Sequence, residues 1–170
     1  RRKRACELAG LTTLRSEIKD LTRDEAVVYM VESNFQRTTI LPSEKAFAYK
    51  MRLEAMKRQA GRPQQENGAP VGHHSKSRDI LAEESGESRE QIRRYIRLTN
   101  LVPELLELVD EGIIKMRPAV ELSYLDEDSQ RDVVEQIDIN DCTPSHDQTI
   151  RMRKMFESGK LTAEAVEAIM

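Results

Sequence analysis

The chain has 170 residues, 34% of them charged and 4% aromatic, with no Trp. It has room for one medium domain or two small ones around an aliphatic core, and this composition suits a mainly helical protein. A net charge of −3 argues against a general nucleic-acid coat, and no apolar run approaches the length of a membrane span. The average hides a polarity: residues 1–60 hold 13 basic and 8 acidic side chains, whereas residues 101–147 hold 3 and 13. One basic surface can therefore still face a polyanion.

No signal peptide is visible and the first residue is Arg1 rather than Met, so the expectation is a fragment of a longer cytoplasmic protein. Cys6 and Cys142 are far apart and read as two reduced thiols. Residues 1–9 read as a short basic helix stopped by Gly10. Residues 14–19, LRSEIK, alternate weakly and suggest a single strand, which needs partners from a sheet lying before Arg1. Thr22 and Glu25 form a capping box for a helix over 23–33, with Ala26, Val27, Met30 and Val31 as its apolar positions. Pro42 and Ser43 open the next helix, whose buried face is Ala46, Tyr49, Leu53 and Met56. Residues 59–76 contain three Gly and two Pro and read as a loop. Within it His73 and His74 lack Cys or carboxylate at ligand spacing, so no metal site is expected.

Residues 77–97, SRDILAEESGESREQIRRYIR, read as a helix-turn-helix. Ser77 caps a first helix that buries Ile80, Leu81 and Ala82, and the small Ala82 permits close approach of the second. Gly86 supplies the left-handed stop. Ser88 with Gln91 makes a second capping box. The following helix buries Ile92, Tyr95 and Ile96. It leaves Arg89, Arg93 and Arg97 on one outward stripe, at i, i+4 and i+8, with Arg94 beside them. Such a helix enters the major groove of double-stranded DNA, where Arg bonds guanine edges and phosphates. The expected contacts to bases and phosphates are Arg89, Gln91, Arg93, Arg94 and Arg97, with Ser77, Arg78 and Ser88 fixing the helix ends against the backbone. A solvated Arg face on an ordinary helical hairpin is the competing reading.

After it, Pro103 opens a helix with Leu105, Leu106, Leu108 and Val109 that stops at Gly112. Residues 116–125 form a short helix with Pro118 in its first turn. Acids lead residues 126–137 into another. Thr143, Pro144 and Ser145 begin a basic helix ending at Gly159, and Thr162 caps a last one reaching Met170. The reading is a mainly α bundle with a central helix-turn-helix.

Three segments together resemble the ParB-type chromosome and plasmid partition proteins and their Noc-like relatives, over residues 1–138. They are RRKRACELAGL, similar to the end of a G-x-R-R motif with its helix; VESNFQRTTILPSEKAFAYK, similar to an E-N-x-Q-R motif; and the helix-turn-helix followed by LTNLVPELLELVDEGII. The resemblance implies three parts. Residues 1–41 are the end of an α/β nucleotide-binding domain, residues 42–138 the DNA-binding domain, and residues 139–170 C-terminal helices or a linker, without the family's dimerisation domain. It implies binding to a palindromic, centromere-like site by a nucleoid-associated homodimer, with a ParA-like ATPase as partner and no membrane. It also implies CTP with Mg²⁺ in the full-length protein, where relatives bind and hydrolyse CTP as a sliding-clamp switch; this fragment is not expected to be an enzyme.

The nucleotide positions map onto Arg1, Arg2, Ser33, Asn34 and Arg37. Ser33 stands where the motif has Glu, and a neutral hydroxyl is a poor replacement for a carboxylate at Mg²⁺. Where relatives carry a Gly-His-Ala-Arg-like run, this chain has Arg117 to Val120, so Lys115 and Arg117 are the expected phosphate contacts there. A ParB-like transcriptional regulator of a mobile element is the further alternative on the same scaffold.

Overall fold

The structure, a computed structural model, describes residues 2–13, 15–35, 40–59, 79–83 and 85–170. Its helices, in chain order, are α1 (Arg2–Leu8), α2 (Arg23–Phe35), α3 (Pro42–Gln59), α4 (79–83), α5 (Arg89–Leu98), α6 (Pro103–Asp110), α7 (Met116–Leu122), α8 (Glu127–Asn140), α9 (His146–Glu157) and α10 (Ala163–Ile169). No strand occurs among the described residues. The strand expected at 14–19 is a correction: residues 15–20 are irregular, with Ile18 96% exposed. A lone alternating segment has no ladder to join, so its backbone stays with solvent.

Two apolar clusters hold the bundle. The smaller joins Tyr49 and Leu53 of α3 to Leu81 of α4 and Ile92 of α5, with Met56, Tyr95 and Ile96 packed against it. This is the face that the spacing of α3 predicts. The larger gathers Leu98, Leu105, Val109, Ile114, Leu122, Leu125, Val133 and Ile137, with Ala46 reaching in from α3. Met152 of α9 and Val166 and Ile169 of α10 belong to the same cluster. Helices α9 and α10 therefore complete the core that α6–α8 begin. Burial of each such side chain stabilises by about 1.5–3 kcal/mol.

The helix ends are set by local chemistry. Ser145 and Gln148 form a full capping box on α9. Gln148 also sends its amide to the last carbonyls of α10, at 2.6 Å from Ile169 O and 2.9 Å from Met170 O. Thr162 accepts from Ala165 N and caps α10. Asp110, at the end of α6, accepts from the backbone N–H and the hydroxyl of Ser43 in the first turn of α3. That carboxylate satisfies an otherwise orphaned donor and complements the helix dipole.

One buried polar side chain fixes the loops. Gln130 of α8 is 1% exposed. Its Oε1 accepts from Val102 N at 2.8 Å, and its Nε2 donates to Asn100 O and Leu125 O, both at 3.0 Å. A single amide thus serves the α5–α6 loop and the α7–α8 loop, satisfying one backbone donor and two backbone acceptors.

Candidate nucleic-acid interface

Helices α4 and α5 meet through Leu81 and Ile92, both fully buried. Ile80, expected on the buried face, is 45% exposed. Three consecutive helical residues span too wide an arc to share one face, so Leu81 packs and Ile80 turns away. Between the helices Gly86 takes φ 68°, the left-handed conformation that a side chain resists. The turn is tied on both sides. Ser85 Oγ donates to Leu81 O at 2.6 Å, and Glu87 accepts from Lys45 Nζ of α3, also at 2.6 Å.

The Lys45 ammonium also lies 5.2 Å from the centre of the Tyr95 ring, and Tyr95 meets Tyr49 at 5.9 Å with the rings tilted by 45°. Burial acts to lower the pKa of Lys45, but the hydrogen bond and charge of Glu87, with Tyr95 and Tyr49, outweigh it and leave the pKa raised. Tyr49 is pushed up by burial, against the lowering effect of its hydrogen bond with Ser85. Helix α3 therefore clamps the turn and the first half of α5.

At the start of α5, Ser88 takes an extended N-cap conformation and its Oγ accepts from Gln91 N at 3.1 Å. The outward surface then carries Arg89 and Arg93, with side chains 64% and 61% exposed, and Arg94 at 39%. Each has an acidic neighbour. Arg89 pairs with Asp79 of α4, and Glu90 lies 3.9 Å from Arg93 and 3.5 Å from Arg94. Ion pairs this exposed contribute about 0–1 kcal/mol, so they orient the guanidiniums and are readily exchanged for phosphate or base edges.

Arg97 lies on the same stripe by sequence, yet its guanidinium turns into the protein. Nη2 donates to Ser123 O at 2.6 Å, Nε to Ser123 Oγ at 3.2 Å, and Cζ sits 3.8 Å from the centre of the Tyr124 ring. Arg153 of α9 lies over that ring as well, at 3.6 Å, and bonds Glu121 and Glu157. The Glu157 hydrogen bond is the main cause of the raised pKa of Arg153, with Glu121 adding to it and burial opposing.

Lys115 and Arg117 are both exposed at the N-terminal end of α7, where Lys115 is the N-cap and donates to Gly112 O at 3.1 Å. Ser77 and Arg78 lie outside the described residues.

Of the residues mapped to a nucleotide, only the Ser33 side chain is described. Arg1 and Arg37 lie outside the described residues, and of Arg2 in α1 and Asn34 in α2 only the helical backbone is described. The Ser33 hydroxyl donates to Met30 O at 2.8 Å, within α2. A neutral oxygen engaged in this way does not fit the carboxylate role at Mg²⁺. Among the described residues no group of three His, Cys, Asp or Glu side chains could hold a metal ion.

Several residues that shape this interface gave no signal in the sequence. Lys45, Glu87, Ser123, Tyr124 and Gln130 act across separations of 26 to 42 residues. Glu90 takes its place beside Arg93 and Arg94 through the i+3 and i+4 spacing of the helix.

No helix is long and apolar enough to cross a membrane among the described residues. Residues 71–146 match the ParB HTH domain family. The chromosome-partitioning protein Spo0J of Thermus thermophilus is 32% identical over 114 residues, 67% of this chain and 35% of that protein. The probable chromosome 1-partitioning protein ParB of Deinococcus radiodurans is also 32% identical, over 67% of this chain and 33% of its own length. Among solved structures, the C-terminally truncated ParB of Caulobacter crescentus complexed to the centromeric parS site is similar at 18% identity and a TM-score of 0.44, over 99% of this chain and 69% of that one. The chain spans about a third of the length of the curated relatives it matches. Residues 71–146 thus belong to the ParB helix-turn-helix family, and the chain is similar to partition proteins over two thirds of its length.

Proposed function

We propose that this chain reads a short palindromic, centromere-like site in double-stranded DNA and serves chromosome or plasmid partition. It does so on the nucleoid as a homodimer, one half-site per protomer, with a ParA-like ATPase as partner. The observation that carries the reading is the outward face of α5. A Ser88-capped helix N-terminus presents Arg89, Arg93 and Arg94 together, from a turn that Gly86 allows and the Lys45–Glu87 pair ties to α3. The helix N-terminus approaches the base edges, Arg and Gln91 supply donors to guanine, adenine and phosphate, and Lys115 and Arg117 fix the register from the start of α7.

The test is selection of binding sites from random duplex DNA at physiological salt, then a salt titration on the winner. A palindromic winner bound far more tightly than scrambled duplex supports the reading. Weak, salt-steep binding without sequence preference overturns it and makes the stripe a backbone binder. Capture of a ParA-like ATPase by the DNA-bound chain separates partition from transcriptional regulation on the same scaffold.

A further inference from the structure

Arg97 is the one arginine of the stripe that does not face outward. Its fork takes both the carbonyl and the hydroxyl of Ser123, the C-cap residue of α7, where an unsatisfied carbonyl and the negative end of the helix dipole favour a cation. Its flat face is covered by Tyr124, and Arg153 shares that ring. Two cations on one ring repel. The carboxylates of Glu121, at 3.1 Å, and Glu157, at 2.8 Å, offset the second charge and hold Arg153 in place. The C-terminal end of α5 is thereby joined to α7 and α9 at one point. Arg153 lies beyond the residues 71–146 matched by the helix-turn-helix family.

We infer that Tyr124 and Arg153 are positioning residues for the DNA reader: with Ser123 they keep Arg97 off the nucleic acid and use it to fix the tilt of α5, so that Arg89, Arg93 and Arg94 alone supply the arginine contacts of that helix. The inference rests on the DNA-binding reading above. Two hydrogen bonds and a stacked ring hold the Arg97 guanidinium turned inward, and they add a polar tie at the C-terminal end of α5 to the apolar contacts of Ile92, Tyr95, Ile96 and Leu98.

The experiment compares Arg93→Ala, Arg97→Gln, Arg153→Gln, Tyr124→Leu and Tyr124→Phe in the whole chain, each first checked for a cooperative melt. The probes are the selected duplex and a scrambled duplex, over a range of salt. Arg93→Ala weakens binding to the selected duplex more than to the scrambled one, as loss of a base contact does, whereas Lys115→Ala, added as the phosphate-contact control, lowers the slope of log affinity against log salt by about 1. Arg97→Gln and Arg153→Gln leave that slope unchanged but reduce the ratio of specific to scrambled affinity about 3- to 30-fold, the range for substitutions acting through packed intermediaries. Their double variant is no worse than either alone, because both disturb one unit. Tyr124→Phe behaves as wild type and Tyr124→Leu as Arg97→Gln.

A slope lowered by about 1 in Arg97→Gln would overturn the inference, since Arg97 would then touch phosphate. An unchanged ratio in Arg153→Gln, or additive losses, overturns it too. A DNA-free arm separates the two readings: the Arg97 Nε–H resonance carries a ring-current shift that Tyr124→Leu removes. If that shift is absent, the positioning role falls while DNA reading stands. If it is present and the wild-type chain prefers no sequence, the DNA reading fails and the positioning role falls with it.

Discussion

At the scale of single residues, the outward arginines and the buried amide make opposite demands. Arg93 is well exposed and loosely paired with Glu90 at 3.9 Å, so its replacement costs the fold little. Arg93→Ala should weaken binding to the selected site by about 1–3 kcal/mol, with an unchanged melting temperature; equilibrium binding and a thermal melt measure the two. Gln130 has the reverse profile. Replacing it by Leu strands the donor of Val102 and the acceptor of Leu125 inside the core and takes a partner from the half-buried carbonyl of Asn100. We expect Gln130→Leu to lower unfolding free energy by about 2–4 kcal/mol, two or three unsatisfied groups' worth partly relieved by relaxation. Urea denaturation gives the number, and a loss below 0.5 kcal/mol would mean that the loops find other partners.

At the scale of elements, caps and stops set the helix boundaries. Gly86→Ala meets no atom within 4 Å, so its cost comes from φ 68° alone. The expected loss is about 1–2 kcal/mol, seen in denaturant, and affinity for DNA falls with it because the turn sets the approach of α5. Asp126 caps α8, and its carboxyl lies below the usual aspartate range because the side chain and backbone of Ser129 hydrogen-bond to it. A lowered folded pKa means that the cap's stability is present above the ordinary carboxylate value and is lost as pH falls through the folded one. Asp126→Ala should therefore cost about 0.5–2 kcal/mol near neutral pH. The gap between variant and wild type should narrow as pH drops below about 4, followed by urea midpoints at each pH.

These ends were legible because capping is local: Thr22, Pro42, Ser88, Pro103, Ser145 and Thr162 each announce a helix start within four residues. The apolar periodicity of α3 and the Arg stripe of α5 were legible for the same reason. What the sequence could not reveal is tertiary. Arg97 has the spacing of a DNA contact, and only the arrival of Ser123 and Tyr124 turns it inward. Residues 14–19 have strand-like alternation, but a strand exists only with a neighbour. Ile80 is as apolar as Leu81, but adjacent helical residues point about 100° apart, so only one of the two reaches α5. The helix-turn-helix was legible as well, because its cap, glycine stop and apolar spacing are local, and it lies within the residues 71–146 that match the ParB HTH domain family.

At the scale of the whole molecule, the last two helices are structural members of the helix-turn-helix bundle. Met152, Val166 and Ile169 are buried against α6–α8, and removing residues 146–170 would open that core to water. A chain ended at residue 145 should lose its sharp, single thermal transition and bind an apolar dye, whereas removal of a mere appendage would leave calorimetry unchanged.

The tyrosines add an optical property. The chain has four Tyr and no Trp. Tyr49 and Tyr95 lie in the seam between α3 and α5, and Tyr124 lies where α5 meets α9. Near-ultraviolet dichroism therefore samples chiefly the joints that aim the reading helix, with Tyr29 on α2 the exposed exception. Far-ultraviolet dichroism samples every helix alike. A melt in which the first signal fades ahead of the second would show the reader losing its aim while the bundle is still wound.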